Sequence, residues 1–248
     1  MAAIGHVEAL FRYPIKSMCG EQLDVAEMGW HGIEGDRRLA FRRMEDRGGF
    51  PWLTAGKLRD LVLFAPEREE GASGDLPTHV RTPDGQLMPV FAEELAAEVG
   101  SRCGAPVQMM QIKHGIFDDA SMSVIASDTV CEIGRLAGLN ADVRRFRPNI
   151  LVRLLQPGPF QEDEWVGGVL TFGEGDDAPA IAVTKRDERC AMLNLDPDTA
   201  IPATAMMKAV VRANQNNAGV YGTVTRAGRL VAGQTIFLHA GRATDVAR

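Results

Sequence analysis

Clusters of glycine, proline and aspartate break this chain so often that its apolar runs stay short, and that limits it to a strand-rich fold. The runs "LVLF" (61–64), "VQMMQI" (107–112), "MSVIA" (122–126), "NILVRLL" (149–155), "VLTF" (169–172), "AIAVT" (180–184) and "QTIFLH" (234–239) are of strand length and bounded by turn residues. The opening segment alternates, with Val7, Ala9, Phe11 and Tyr13 on one side and His6, Glu8 and Arg12 on the other. That is the period of a half-buried strand, and Pro14 ends it.

Three helices interrupt the strands. In "FAEELAAEVGSRC" (91–103), Phe91, Leu95 and Val99 form a stripe at four-residue spacing, and Glu93 and Glu94 suit a helix start. "SDTVCEIGRLAG" (127–138) has Ser127 as its expected N-cap and Gly138 as its expected stop. "PATAMMKAVVRAN" (202–214) opens on Pro202 in the first turn and sets Met206, Val210 and Ala213 on one face. The segment "APEREEGASGDLP" (65–77) reads as an exposed hairpin tip. The expected class is mixed α/β and β-rich, in two lobes divided near residue 117: 1–117 and 118–248.

A net charge of −6, with basic residues scattered rather than striped, gives nucleic acid little to hold. The first residues lack a basic region followed by an apolar one, so no secretory signal is expected, and no apolar run is long enough to span a membrane. Four cysteines far apart, Cys19, Cys103, Cys131 and Cys190, point to a reducing, cytoplasmic setting rather than to disulfide staples. The five histidines show no zinc-ligand spacing, and no C-x-x-C occurs.

The residues suited to chemistry are few. Cys190 lies in "KRDERC", where Arg186 and Arg189 favour its thiolate, the form that attacks electrophiles or binds soft metals; a buried, inert cysteine is the alternative. "RRFRPNILV" (144–152) places Arg145 and Arg147 two apart, which at the start of a strand would project both to one side as a fork for phosphate or carboxylate; a solvated strand edge is the alternative. "GWHGIEGDRR" (29–38) has neither nucleotide-loop spacing and reads as a strand-to-strand turn, although Arg37 could reach a cleft. Lys16, after Pro14, could deliver a point charge to an anion, and "LDPDTA" (195–200) reads as a turn.

Taken together, "YPIKS" (13–17), "DRRL" (36–39), "RFRPNI" (145–150), "RC" (189–190) and "DPDT" (196–199) resemble the MOSC-domain family with its N-terminal β-barrel-like domain. By pattern they are similar to the mitochondrial amidoxime-reducing components and their bacterial counterparts. The resemblance implies a MOSC β-barrel domain with flanking helices plus an N-terminal β-rich lobe. It implies a molybdenum cofactor (Mo-molybdopterin) with Cys190 as the protein's sulfur ligand, and the family carries an association with pyridoxal phosphate as well. Carried over by motif position, Lys16, Arg37, Arg145, Arg147, Asn149 and Arg189 become cofactor contacts, with Thr54 and Ser127 as hydrogen donors. The family's turn reads Asp-Pro-Asp-Thr-Gly, whereas Ala200 stands here in place of the glycine; a positive φ at that position would strain alanine.

The implied activity is reduction of N-hydroxylated or N-oxide substrates. No cysteine follows Cys190 in this sequence, so electrons are expected from a separate ferredoxin-, flavodoxin- or cytochrome-b5-like protein. Two other readings use the same thiol: a persulfide carrier that passes sulfur to a partner, and a cysteine-nucleophile hydrolase needing a histidine base brought close by the fold.

Overall fold

The computed structural model describes residues 1–140 and 142–240. The first half contributes β1 (Ala2–Arg12), β2 (Glu21–Leu23), β3 (Val25–Gly29), β4 (Gly32–Ile33), β5 (Leu39–Arg43), β6 (Ala65–Glu67), β7 (His79–Arg81), β8 (Leu87–Pro89), α1 (Glu93–Cys103) and β9 (Val107–Gln111). The second contributes β10 (Met122–Ala126), α2 (Ser127–Ala137), β11 (Ile150–Leu154), β12 (Val169–Phe172), β13 (Ala180–Glu188), α3 (Ala205–Asn214), β14 (Asn217–Arg226), β15 (Gly228–Val231) and β16 (Thr235–His239).

Seven strands close into a barrel in the order β11, β10, β14, β13, β12, β16, β1, with β1 returning to β11 and β2 added along β1. Every neighbouring pair is antiparallel except β10 and β11, which run parallel because α2 carries the chain across between them. Val124, Val152, Leu170, Ile181 and Val220 are among the apolar side chains that fill the barrel. On its outside, Ile125, Val130, Ile133, Met206 and Val210 form a second apolar layer under α2 and α3.

β1 serves both layers. Its register against β11 shifts between Val7 and Ala9, so Val7 and Leu10 join the barrel interior while Ala9 and Phe11 join the helix layer, as does Tyr13 just beyond the strand. The single apolar face expected for this segment is therefore split, since a bulge re-aims every side chain after it.

A third core, built on Leu39, Phe41, Phe64, Leu95 and Val99, belongs to the N-terminal segment and takes in Leu195 and Ala200 from the second half. The division at residue 117 does not follow these cores: the barrel draws its closing strand from residues 2–12, and Ala26, Met28 and Ile33 pack with it.

Several local expectations differ from the structure. Leu61–Leu63 of "LVLF" lie in a 3-10 turn, Arg59–Leu63, with Leu61 and Val62 buried and Phe64 just beyond it, so the run meets the core through a turn and not a strand. The N-cap of α2 is Ala126; the Ser127 hydroxyl donates instead to the Val152 carbonyl at 3.3 Å. α3 begins at Ala205, and Pro202 sits in an isolated bridge with Leu195. Phe91 and Ala213 are exposed, while Leu95, Val99, Met206 and Val210 of the same stripes are buried. Gly138 ends α2 in the left-handed conformation, as its position predicts.

Candidate functional site

A cavity of about 360 Å³ opens between the barrel and the N-terminal lobe, the kind of boundary where ligand sites concentrate. Cys190 lies on its wall. It follows β13 and precedes a 3-10 turn, Ala191–Asn194, and its side of the chain is exposed rather than packed among aliphatic groups. Of the other residues expected at a site, Lys16, Arg37, Thr54, Arg145, Arg147 and Arg189 line the same cavity.

They come from five separate stretches of chain. Lys16 follows β1, and its Nζ donates to the Phe117 carbonyl at 2.6 Å, with Asp118 at 3.9 Å. Burial lowers its pKa, and Asp118 opposes that shift. Arg37 precedes β5 and is enclosed by carboxylates: its Nε reaches Asp118 at 2.6 Å and its Nη1 pairs with Asp36. Burial would lower the Arg37 pKa, but Asp36 and then Asp118 outweigh it and hold the guanidinium charged. The same pairing acts on Asp118: burial would raise its pKa, and Arg37 and Lys16 pull it below the ordinary value.

Arg145 and Arg147 reach the cavity by a different route from the one their spacing suggested. Arg145 ends a 3-10 turn, Val143–Arg145, and Arg147 sits in the left-handed region at φ +52°, so the pair is not a strand alternation. Arg145 donates to the Asn194 carbonyl at 2.9 Å and pairs with Asp196 at 2.6 Å, which ties it to the "DPDT" turn. Arg147 donates to the Met18 carbonyl at 2.6 Å and lies 4.1 Å from the centre of the Tyr13 ring. Burial, then the nearby Arg37, depress its pKa.

Arg189 pairs with Asp187 and donates to the Phe146 carbonyl. Arg186 faces away: its Nε meets Asp163 at 3.0 Å, so the cationic setting of Cys190 comes from Lys16 and Arg189 and not from Arg186. Ser127 and Asn149 are not on the wall. Asn149 is buried behind Arg37, its Oδ1 accepting from the Ser123 amide at 3.0 Å and from Arg37 at 3.3 Å.

Several wall residues carried no sequence signal. Asp187 is 2% exposed and accepts from the Ser123 hydroxyl at 3.0 Å; burial raises its pKa, with Arg189 opposing. Tyr221 lies across from it on β14, its phenol raised by burial and by Asp187. "KRDERC" contains Asp187, but nothing in it shows that β13, whose register shifts between Arg186 and Glu188, buries Asp187 beside Arg189 while Arg186 reaches Asp163. Ser17, Arg37 and Arg147, all on the wall, have positive φ without being glycine. Backbone strain of this kind collects where a site needs its side chains aimed. No histidine lines the cavity among the described residues, which leaves a cysteine hydrolase without its base.

A profile of the MOSC domain matches residues 111–237, just over half of the sequence. The chain belongs to the MOSC-domain family. Comparison with curated proteins finds no match. Among solved structures, the YuaD protein from Bacillus subtilis is 14% identical over 96% of this chain and 97% of its own, with a TM-score of 0.52, a likeness of fold. YiiM from Geobacillus stearothermophilus is 16% identical over 48% of this chain and 54% of its own, with a TM-score of 0.38. The MOSC profile begins at β9, so it leaves out β1, the strand that closes the barrel. No described helix is long and apolar enough to cross a membrane.

Proposed function

We propose that this MOSC protein holds a molybdenum cofactor through Cys190 and reduces N-hydroxylated or N-oxide substrates. The observation that carries the reading is the placement of an exposed thiol on the wall of a cationic cavity large enough for an organic ligand. A soft sulfur suits molybdenum, and the cofactor's anionic phosphate suits the cations around it. Five cations and three carboxylates line the cavity. Among the described residues, Arg147 has no carboxylate within 4 Å, whereas Arg37, Arg145 and Arg189 are each paired.

When bound, the cofactor supplies the two-electron chemistry at the N–O bond. The overall change is N–OH plus two electrons and two protons to N–H and water, with the electrons drawn from a separate iron–sulfur, flavin or haem protein. Cys190 would anchor the metal and Lys16 and Arg147 would hold the anionic end, while Arg189, immediately before the thiol, is tied by its side chain to Asp187 and the Phe146 carbonyl. Thr54 offers a hydroxyl from the opposite lobe. Phe50, Phe146 and Met192 supply the apolar wall that excludes water. Asp187 stays paired with Arg189 at that wall, where burial raises its pKa above the ordinary value.

The test is the molybdenum and pterin content of protein made in a cofactor-competent host, wild type beside Cys190→Ala. The variant is expected to fold and to lose the metal or hold it with changed ligation. An unaltered site removes Cys190 from the metal, and wild type free of both metal and pterin sinks the proposal. The exposure of Cys190 also favours the persulfide-carrier reading. A sulfane sulfur on Cys190 in metal-free protein, read by mass spectrometry, would select it.

A further inference from the structure

A second, much smaller cavity of about 20 Å³ shares Arg145, Arg147 and Met192 with the first. Tyr13, Cys19 and Arg144 complete its polar lining, and no carboxylate borders it among the described residues. Two of its three guanidiniums are neutralised from elsewhere: Arg144 by Asp142 and Asp198, Arg145 by Asp196. Arg147 is not, and its Nη1 is held on this side by the carbonyl of Met18, next to Cys19.

The Tyr13 hydroxyl is the second defect. Tyr13 is 1% exposed and its Oη has no hydrogen-bond partner. Its phenol is neutral, because burial lifts its pKa above the ordinary value, so it is a donor with nothing to donate to. A buried donor left unmade is costly, as is a half-buried charge without a partner, and here both residues line one small cavity.

We propose that this void binds one small monovalent inorganic anion of the chloride class, held between the Tyr13 hydroxyl and the Arg147 guanidinium. Its small volume suits a species little larger than a water molecule. A water would satisfy the hydroxyl and leave the charge; a monovalent anion answers both. The bound ion also fixes Arg147 in its left-handed conformation, and it shares that guanidinium with the anionic end proposed for the larger cavity, since Arg147 borders both.

The full-length protein is melted in sodium chloride and in sodium gluconate, whose anion is too large for the void, at equal ionic strength. Wild type is expected to melt roughly 3 °C higher in chloride. Tyr13→Phe, which keeps the ring and removes the hydroxyl, is expected to lose most of that increment. Crystals of the wild type grown with bromide are expected to show one anomalous peak within hydrogen-bond distance of Tyr13 Oη. An equal chloride increment in both proteins, or crystals with only a water at that position, overturns the proposal, and the crystal experiment decides the matter even if the variant does not fold.

Discussion

Ala200 shows how a single methyl group is weighed. It sits at φ +57°, where an L-residue costs about 1 kcal/mol more than glycine, yet its side chain is buried in the N-terminal core and contributes about 0.8 kcal/mol there. The two nearly cancel, so Ala200→Gly is expected to leave the unfolding free energy measured in urea within about 0.5 kcal/mol of wild type. Ala200→Val, branched at a positive φ, is expected to cost more than about 2 kcal/mol in the same measurement. Asn149 is a different case, because its side chain serves three partners at once: the Ser123 amide, Arg37 and the Phe11 carbonyl. Asn149→Ala is expected to lower stability by about 2–4 kcal/mol. At this scale the sequence was informative about residue type and silent about partners. Lys16, Arg37, Thr54, Arg145, Arg147, Arg189 and Cys190 were all legible as candidates, but nothing near Arg37 in sequence announces Asp118, which lies 81 positions on.

The elements were legible wherever periodicity ran uninterrupted. α2 is where the sequence predicts it, and Gly138 stops it, but its cap comes from far along the chain. Glu162, in a 3-10 turn, accepts from the Ala126 amide at 3.3 Å and from the Thr129 hydroxyl at 2.9 Å. Burial nevertheless pushes its pKa up to about 7, outweighing those donors. The unfolded carboxyl releases its proton near 4.3 and the folded one near 7, so between those values the folded state binds the extra proton. The stabilising contribution is therefore complete below the unfolded value and disappears as pH rises through 7. Urea unfolding is expected to show a loss on the order of 3 kcal/mol from this group between pH 4.5 and 8, and Glu162→Gln is expected to flatten that part of the profile. β14 was missed for a related reason: Gly219 and Gly222 interrupt its pattern. In each case a Cβ would come within about 3 Å of a neighbouring strand's carbonyl oxygen, so a close approach of backbones put glycine where strand propensity is poor.

For the whole molecule, the closing strand is the decisive element. β1 pairs with β11 over Gly5–Leu10 and with β16 over Ala2–His6, so residues 118–248 alone would expose two strand edges and an open barrel interior. That fragment is expected to show no cooperative thermal transition by circular dichroism, whereas joining residues 1–13 to it restores one; a sharp transition in the shorter fragment would show that the barrel closes without β1. The sequence by itself determined the strand-rich class, seven of the sixteen strands and the three α-helices among the described residues, and a set of basic residues and one cysteine matching a single family. These follow from local rules, namely side-chain period, turn residues and motif order, which a linear string preserves. Only the tertiary structure decided that β1 belongs to the barrel, that a bulge at Val7–Ala9 divides its faces between two cores, and that Asp118, Asp187 and Tyr221 meet the cations around Cys190. Pairing across a closed barrel depends on which strands are neighbours in space, and strand alternation fixes which way a side chain points only once that pairing is known.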